Sequence, residues 1–263
     1  MMTSRVPIRG ALAAVVIAVA SASAAAAQGL YWESTITGVG NETRTSQNYA
    51  MPKMMKIVSA SGPVVILRAD QDKFITVDTK KQTYSELTFS EMESAAKAMQ
   101  AQMESARGDL EKRMKDMSPE QRAMIEKMLP QIPAADAAKP AAVVVKNTGE
   151  TKSISGYPCT KYVASADGKT ILVAWTSTAV KGFEALRGDW VAYQKRMAST
   201  NRAVGTAITD AYAKIEGFPM ETEVGNVKTS VTKVEPRTTA ASEFDVPPGY
   251  KKETMDLTKP PPR

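Results

Sequence analysis

The 263-residue sequence contains no histidine and a single cysteine, Cys159. The missing histidines remove the commonest general base, the commonest metal ligand and every Ser-His or Cys-His nucleophile pair. One thiol supports neither a disulfide framework nor a cysteine-rich zinc site. Cys159 sits in Gly156-Tyr157-Pro158-Cys159-Thr160, a turn feeding a strand, and is read as a buried small hydrophobe; pairing between molecules is the alternative. Carboxylate-only chemistry, as in glycoside hydrolysis, stays formally open. Yet Glu91, Glu93, Glu104, Asp109 and Glu111 lie along one solvated-looking helix. Glycine-rich phosphate loops, G-x-S-x-G elbows and acidic calcium loops are absent from the sequence. The chain is therefore expected not to be an enzyme and to carry no catalytic residue and no cofactor.

The chemistry that remains belongs to apolar and soft side chains, above all the 15 methionines. Met92, Met99, Met103, Leu110, Met114 and Met117 recur at helical steps and form one stripe. Methionine re-packs around variable apolar shapes, which suits a promiscuous groove. The first reading is a hydrophobic ligand (a small molecule, acyl chain, lipid or lipoprotein) held between a sheet and helices. Its lining would be Trp32, Met54, Ile66, Met99, Met103 and Trp175, for which ordinary core packing is the competing role. A second reading is a non-catalytic envelope or stress-related protein whose Met-rich helices dock a protein partner. The third is copper(I), which thioethers favour, although Met54 and Met55 on one strand would point to opposite faces and do not readily share an ion.

These residues need elements to position them. Arg5 and Arg9, an apolar run from Ala11 to Ala20 and a small-residue stretch ending Ala25-Ala26-Ala27 read as a cleavable signal peptide over 1–27. The run is far short of the roughly 20 residues that span a bilayer, so a mature chain beginning at Gln28 or Gly29 is expected to be periplasmic, without a transmembrane segment. Losing two arginines leaves 32 Lys+Arg against 28 Asp+Glu. A scattered excess of that size is no nucleic-acid footprint.

Strands are expected over 30–37, 42–50, 54–59, 64–67, 73–77 and 83–87, spaced as an antiparallel meander. A capping box at Ser90 and Glu93 then opens the Met helix. Ser118-Pro119-Glu120 restarts a second helix that ends at Pro130, and an Ala/Pro linker covers 131–142. Strands resume at 143–146, 157–164 and 171–175, the last after an Asp167-Gly168 turn. A helical region starts near Phe183 with Leu186, Trp190, Tyr193 and Met197 on one face, and strands follow at 218–224 and 227–234. The sum is one α+β domain over 28–250, an antiparallel sheet with a helical insert at about 90–130 between its halves, and a disordered tail over 251–263.

Four local patterns carry a family resemblance. They are Tyr49-Ala50-Met51-Pro52-Lys53-Met54-Met55; Asp72-Lys73-Phe74-Ile75-Thr76-Val77-Asp78 leading to Tyr84; and Ser118-Pro119-Glu120-Gln121-Arg122-Ala123-Met124. The fourth pairs Gly156-Tyr157-Pro158-Cys159 with Gly217-Phe218-Pro219 and closes on Phe244-Asp245-Val246-Pro247-Pro248-Gly249-Tyr250. Together they resemble domain-of-unknown-function family 4412, itself similar to the periplasmic lipoprotein carrier and receptor (LolA/LolB-like) superfamily. The resemblance implies a curved, unclosed antiparallel sheet, a half-barrel, with helices on its concave face and room for acyl chains between. It supplies no catalytic residues.

Overall fold

The structure, a computed structural model, describes residues 28–40, 42–115, 118, 142–200 and 205–254. The expected leader, the helix expected after Ser118 and nearly all of the linker lie outside the described residues. What is described is α+β: a large, unclosed, curved sheet of twelve strands, antiparallel except at one edge, with three helices among the described residues.

Two meanders make the sheet. The first runs through β1 (Gln28–Thr37), β2 (Arg44–Met51), β3 (Met54–Ser59), β4 (Val64–Arg68), β5 (Lys73–Asp78) and β6 (Thr83–Thr88). The second runs through β7 (Val143–Ile154), β8 (Tyr157–Ala166), β9 (Lys169–Ser177), β10 (Phe218–Val224) and β11 (Val227–Thr238). They join where β1 pairs with β11, from Gln28↔Thr238 to Thr37↔Lys228, with a bulge at Glu33/Ser34. The seam therefore lies at mid-sheet, between strands nearly 200 positions apart in sequence. Tight hairpins follow turn chemistry: Ser155-Gly156 and Asp167-Gly168 both hold two successive positive φ angles, as two-residue turns matched to strand twist require.

Helix α1 (Phe89–Lys115) leaves β6 directly. Its capping box lies two residues earlier than Ser90/Glu93. The Glu91 backbone N–H donates to Thr88 Oγ1 at 3.0 Å, and the Thr88 N–H donates back to Glu91 Oε2 at 2.7 Å. The sequence T-x-x-E wins over S-x-x-E because strand β6 runs on to Thr88 and leaves that residue as the half-in position. Helices α2 (Phe183–Thr200) and α3 (Gly205–Lys214) are both inserted between β9 and β10.

Strand alternation sorts the core by face. Leu30, Trp32, Met55 and Leu67 pack with Val180, just before α2, and with Phe183 and Leu186 in its first turn. Val143, Ala164, Leu172 and Ala174 pack with Ala211 and Ile215 around α3. On the opposite face Met51, Ile66, Ile75 and Val77 lie beneath Phe244, which is fully buried. Phe244 belongs to a short 3-10 turn over Ala241–Phe244, the start of a strap across that face. Lys56 Nζ donates to the Glu243 carbonyl at 3.0 Å, and the buried Arg68 guanidinium bonds both Asp70 and Asp245. The strap ends as β12 (Lys251–Lys252), parallel to β6. Ordered chain thus continues past residue 250, where the tail was expected to begin, because β6 offers an edge with free backbone groups.

Candidate functional site

The sheet and α2 do not meet everywhere. Between them lies a cavity of about 290 Å³. Sheet residues Trp32, Met55, Leu67 and Phe218 form one wall, Phe183, Trp190 and Tyr193 of α2 form the other, and Phe89 at the start of α1 closes one side. The aromatic rings are linked edge to face. Trp32 meets Phe218 at 5.6 Å, Phe218 meets Phe183 at 5.1 Å, Phe183 meets Trp190 at 6.1 Å and Trp190 meets Tyr212 of α3 at 4.9 Å. Edge-to-face contacts are favourable at centroid separations of about 4.5–7 Å.

Sequence dictates this geometry. Phe183, Leu186, Trp190 and Tyr193 recur at three- and four-residue steps, so they share the face of α2 that meets the sheet. Burial pushes the Tyr193 phenol up to about 12, so it stays neutral at any ordinary pH.

The polar lining residues are Lys53, Asp189 and Arg196. Lys53 and Arg196 are exposed, as are the lining alanines Ala69 and Ala192, and together they mark the mouth. Asp189 of α2 accepts a 2.8 Å hydrogen bond from the Lys53 backbone N–H. The Arg196 guanidinium lies 4.6 Å from the Phe89 ring centre and 3.5 Å from Asp72 Oδ1. The mouth is thus built from the β2–β3 turn, the β4–β5 turn, α1 and α2.

The residues singled out in the sequence fall in several places. Trp32 and Met54 border the cavity. Ile66 is buried on the other face, beneath Phe244. Met99 is 58% exposed on α1, and the side chain of Met103 lies outside the described residues. Trp175 carries Lys152 Nζ at 4.2 Å and Lys161 Nζ at 5.6 Å from its ring centre. Beside it Glu221, 9% exposed, accepts from Lys152 at 2.8 Å and pairs with Lys228 at 3.0 Å. Sequence reasoning missed Phe89, Phe183 and Phe218 as lining. The stripe containing Trp190 was legible, but nothing local shows that it spans a void.

Met51, Met54 and Met55 all reach the cavity's end, yet Met55 packs with the α2-side core whereas Met51 and Met54 pack towards Phe244. Among the described residues no group of three or more His, Cys, Asp or Glu side chains is gathered to hold a metal ion. Cys159 is free and buried, and its thiol donates to the Tyr157 carbonyl at 3.3 Å. Burial raises its pKa, which disfavours the thiolate that nucleophilic chemistry needs. No helix among the described residues is long and apolar enough to cross a membrane.

Comparison with known proteins adds a family. The family model described as "Domain of unknown function (DUF4412)" matches residues 112–250, just over half of the chain. That stretch contains the Gly156 and Gly217 motifs and the closing Phe244–Tyr250 segment, while the Tyr49–Met55 and Asp72–Tyr84 motifs precede it. No curated protein matches. Two solved structures of PNGF-II, in the C2 and P21 space groups, are similar at TM-scores of 0.36 and 0.34 with 10% and 9% identity. They cover 88% and 87% of this chain and 31% and 32% of theirs, so the chain spans about a third of the length of PNGF-II.

Proposed function

The chain belongs to the DUF4412 family, whose function is not defined, and we propose that it binds an apolar ligand, an acyl chain or similar, in the cavity between sheet and α2. In this reading it is exported, works in the periplasm after losing residues 1–27, and performs no catalysis. Its plan is that of a half-barrel related to the lipoprotein carriers and receptors.

One observation carries the proposal: an aromatic-lined cavity of about 290 Å³ whose charged side chains are Lys53, Asp189 and Arg196 near the mouth. Well-packed interiors leave few voids larger than a water molecule. An engineered apolar cavity of about 150 Å³ stays dry and takes up benzene. This one is roughly twice that size and lies at the lower bound of about 300 Å³ for small-molecule pockets. It suits one acyl tail better than a large rigid molecule.

Titrating the delipidated protein with decanoic acid while following tryptophan fluorescence tests the reading, since Trp32 and Trp190 both line the space. Saturable binding at micromolar ligand is expected, together with its loss in Ala192→Trp, which plugs the mouth at an exposed position. Absence of saturable binding in the unmodified protein would discard the proposal.

A second reading, docking of a protein partner by the Met-rich helix, draws on Met99 standing 58% exposed on α1. Met99→Lys should leave decanoate binding intact and weaken partner capture only.

A further inference from the structure

We propose that the ligand is a single-chain amphiphile with a carboxylate headgroup, its tail among the aromatic rings and its carboxylate held at the mouth by the Lys53 ammonium. The inference rests on the apolar-ligand reading above and adds the headgroup class.

Three observations converge on Lys53. The first is polarity. Apart from the Tyr193 hydroxyl and the tryptophan N–H groups the lining side chains are apolar, and its charged residues are Lys53, Asp189 and Arg196, of which Lys53 and Arg196 are exposed at the mouth. A ligand that matches such a site is greasy along its length and polar at one tip.

The second is the backbone. Lys53 follows Pro52 in the turn between β2 and β3 and holds φ at 61°. Glycine is the default in that left-handed region, and Asn or Asp are tolerated because their short polar side chains bond locally. Lysine has no such compensation. The strained residue is nevertheless pinned on both sides. Its N–H donates to Asp189 at 2.8 Å, and its carbonyl accepts from the Ala69 N–H at 2.8 Å. The turn itself asks for this conformation, as at Gln82 between β5 and β6, and the two bonds fix the point at which Lys53 leaves the rim.

The third is charge. Neighbouring carboxylates already have partners: Asp189 takes the Lys53 backbone N–H, Asp70 is bonded by Arg68 at 2.8 and 3.0 Å, and Asp72 lies 3.5 Å from Arg196. The Lys53 ammonium adds a weaker charge attraction to Asp70, whose carboxyl is held below its ordinary value chiefly by the hydrogen bonds from Arg68. An ammonium carried by a held backbone at the rim of an apolar cavity, beside an acid that Arg68 already engages, is complementary to an incoming anion. The volume argues for one tail over two.

The experiment compares decanoic acid with decanol, which has the same tail and no charge, on the mature protein and on Lys53→Met and Lys53→Gly. Decanoate is expected to bind about tenfold tighter than decanol. Both variants should bring decanoate to the affinity of decanol and leave decanol unchanged. Lys53→Gly should also raise the melting temperature, since glycine relieves the left-handed backbone; a residue kept only for the turn would not gain stability while losing one ligand. Equal affinity of the unmodified protein for acid and alcohol overturns the headgroup assignment and leaves the cavity reading intact. Binding of neither overturns both.

Discussion

Replacing Phe183 by alanine asks whether the space under α2 is a binding cavity or a flaw in a core. Phe183 is 4% exposed and stands edge-on to Phe218 at 5.1 Å and to Trp190 at 6.1 Å. Truncating a buried phenylalanine costs about 3–5 kcal/mol, of which each aromatic pair supplies about 0.5–1.5 kcal/mol. Here the ring already borders about 290 Å³ of space. Its removal widens an existing void and strands fewer neighbouring atoms than truncation in a filled core, so the cost should fall near the lower end, about 3 kcal/mol. A ligand that fills the widened space binds only the folded chain, and at a hundredfold excess over its Kd it returns about 2.7 kcal/mol. Urea unfolding of both proteins, with and without decanoate, reads both quantities. The variant should unfold at lower urea and recover most of the difference with ligand. The reasoning fails if the variant loses 5 kcal/mol or more and decanoate shifts neither midpoint, for then the site is packed core.

Three further outcomes follow from the geometry. Phe244→Ala should cost about 3–5 kcal/mol in urea unfolding and leave decanoate affinity nearly unchanged in the fluorescence titration, because Phe244 packs on the face away from α2. Burial works to raise the Glu221 carboxyl, but hydrogen bonds from Lys152 and Lys228 outweigh it and hold the carboxyl below its ordinary value. A depressed folded pKa gives stability that is present above the unfolded value of about 4.3 and lost as pH falls through the folded one. Glu221→Gln should therefore cost about 1–2 kcal/mol at pH 7, discounted because both lysines are part-exposed, and should flatten the decline of melting temperature between pH 5 and 3. At the alkaline end, burial pushes Tyr31 and Tyr193 up to about 12, with the Glu33 carboxylate adding to the effect at Tyr31. Their contribution is complete below about pH 10 and is lost as pH rises towards 12, so Tyr193→Phe should melt less steeply with pH there, and ultraviolet titration should show those phenols ionising late.

Local signals were legible in the sequence and distant ones were not. Turn residues placed β3, β4 and β10 to within a residue, and the Asp167-Gly168 hairpin could be read directly because a type I′ turn demands two left-handed residues. Strand β7 runs to Ile154, well past the apolar Val143–Lys146 run, because Lys152 and Ile154 are paired by β8 and not by their own propensity. The pairing of β1 with β11 had no local signature at all, since register between segments so far apart is set by which faces they bury. The same limit governs the site. Trp32 could be chosen for its type and Phe183 could not, because a cavity is a property of two surfaces that fail to meet. Ile66 and Leu67 are alike in sequence, and only the alternation of β4 against α2 and the strap assigns one to each face.

The position of the cavity follows from that long-range pairing. Helix α2 belongs to the second meander, yet its apolar face packs on Met55 and Leu67 of the first. It can reach them because β1 and β11 are neighbours and bring both halves under one helix. Beyond Glu221↔Ser230 the register of β10 with β11 ends, and the β7–β8 hairpin tip moves in to satisfy β11: Ser155 Oγ donates to the Val231 carbonyl and Tyr157 Oη to that of Val234. Where both halves are brought under this one helix, sheet and α2 leave between them the space lined by Trp32, Phe183 and Trp190. The mouth closes across the same seam, with Lys53 from the first half hydrogen-bonded to Asp189 from the second. A ligand seated there would bridge the two meanders, so its binding should protect the β1–β11 amides from hydrogen exchange as strongly as those of α2.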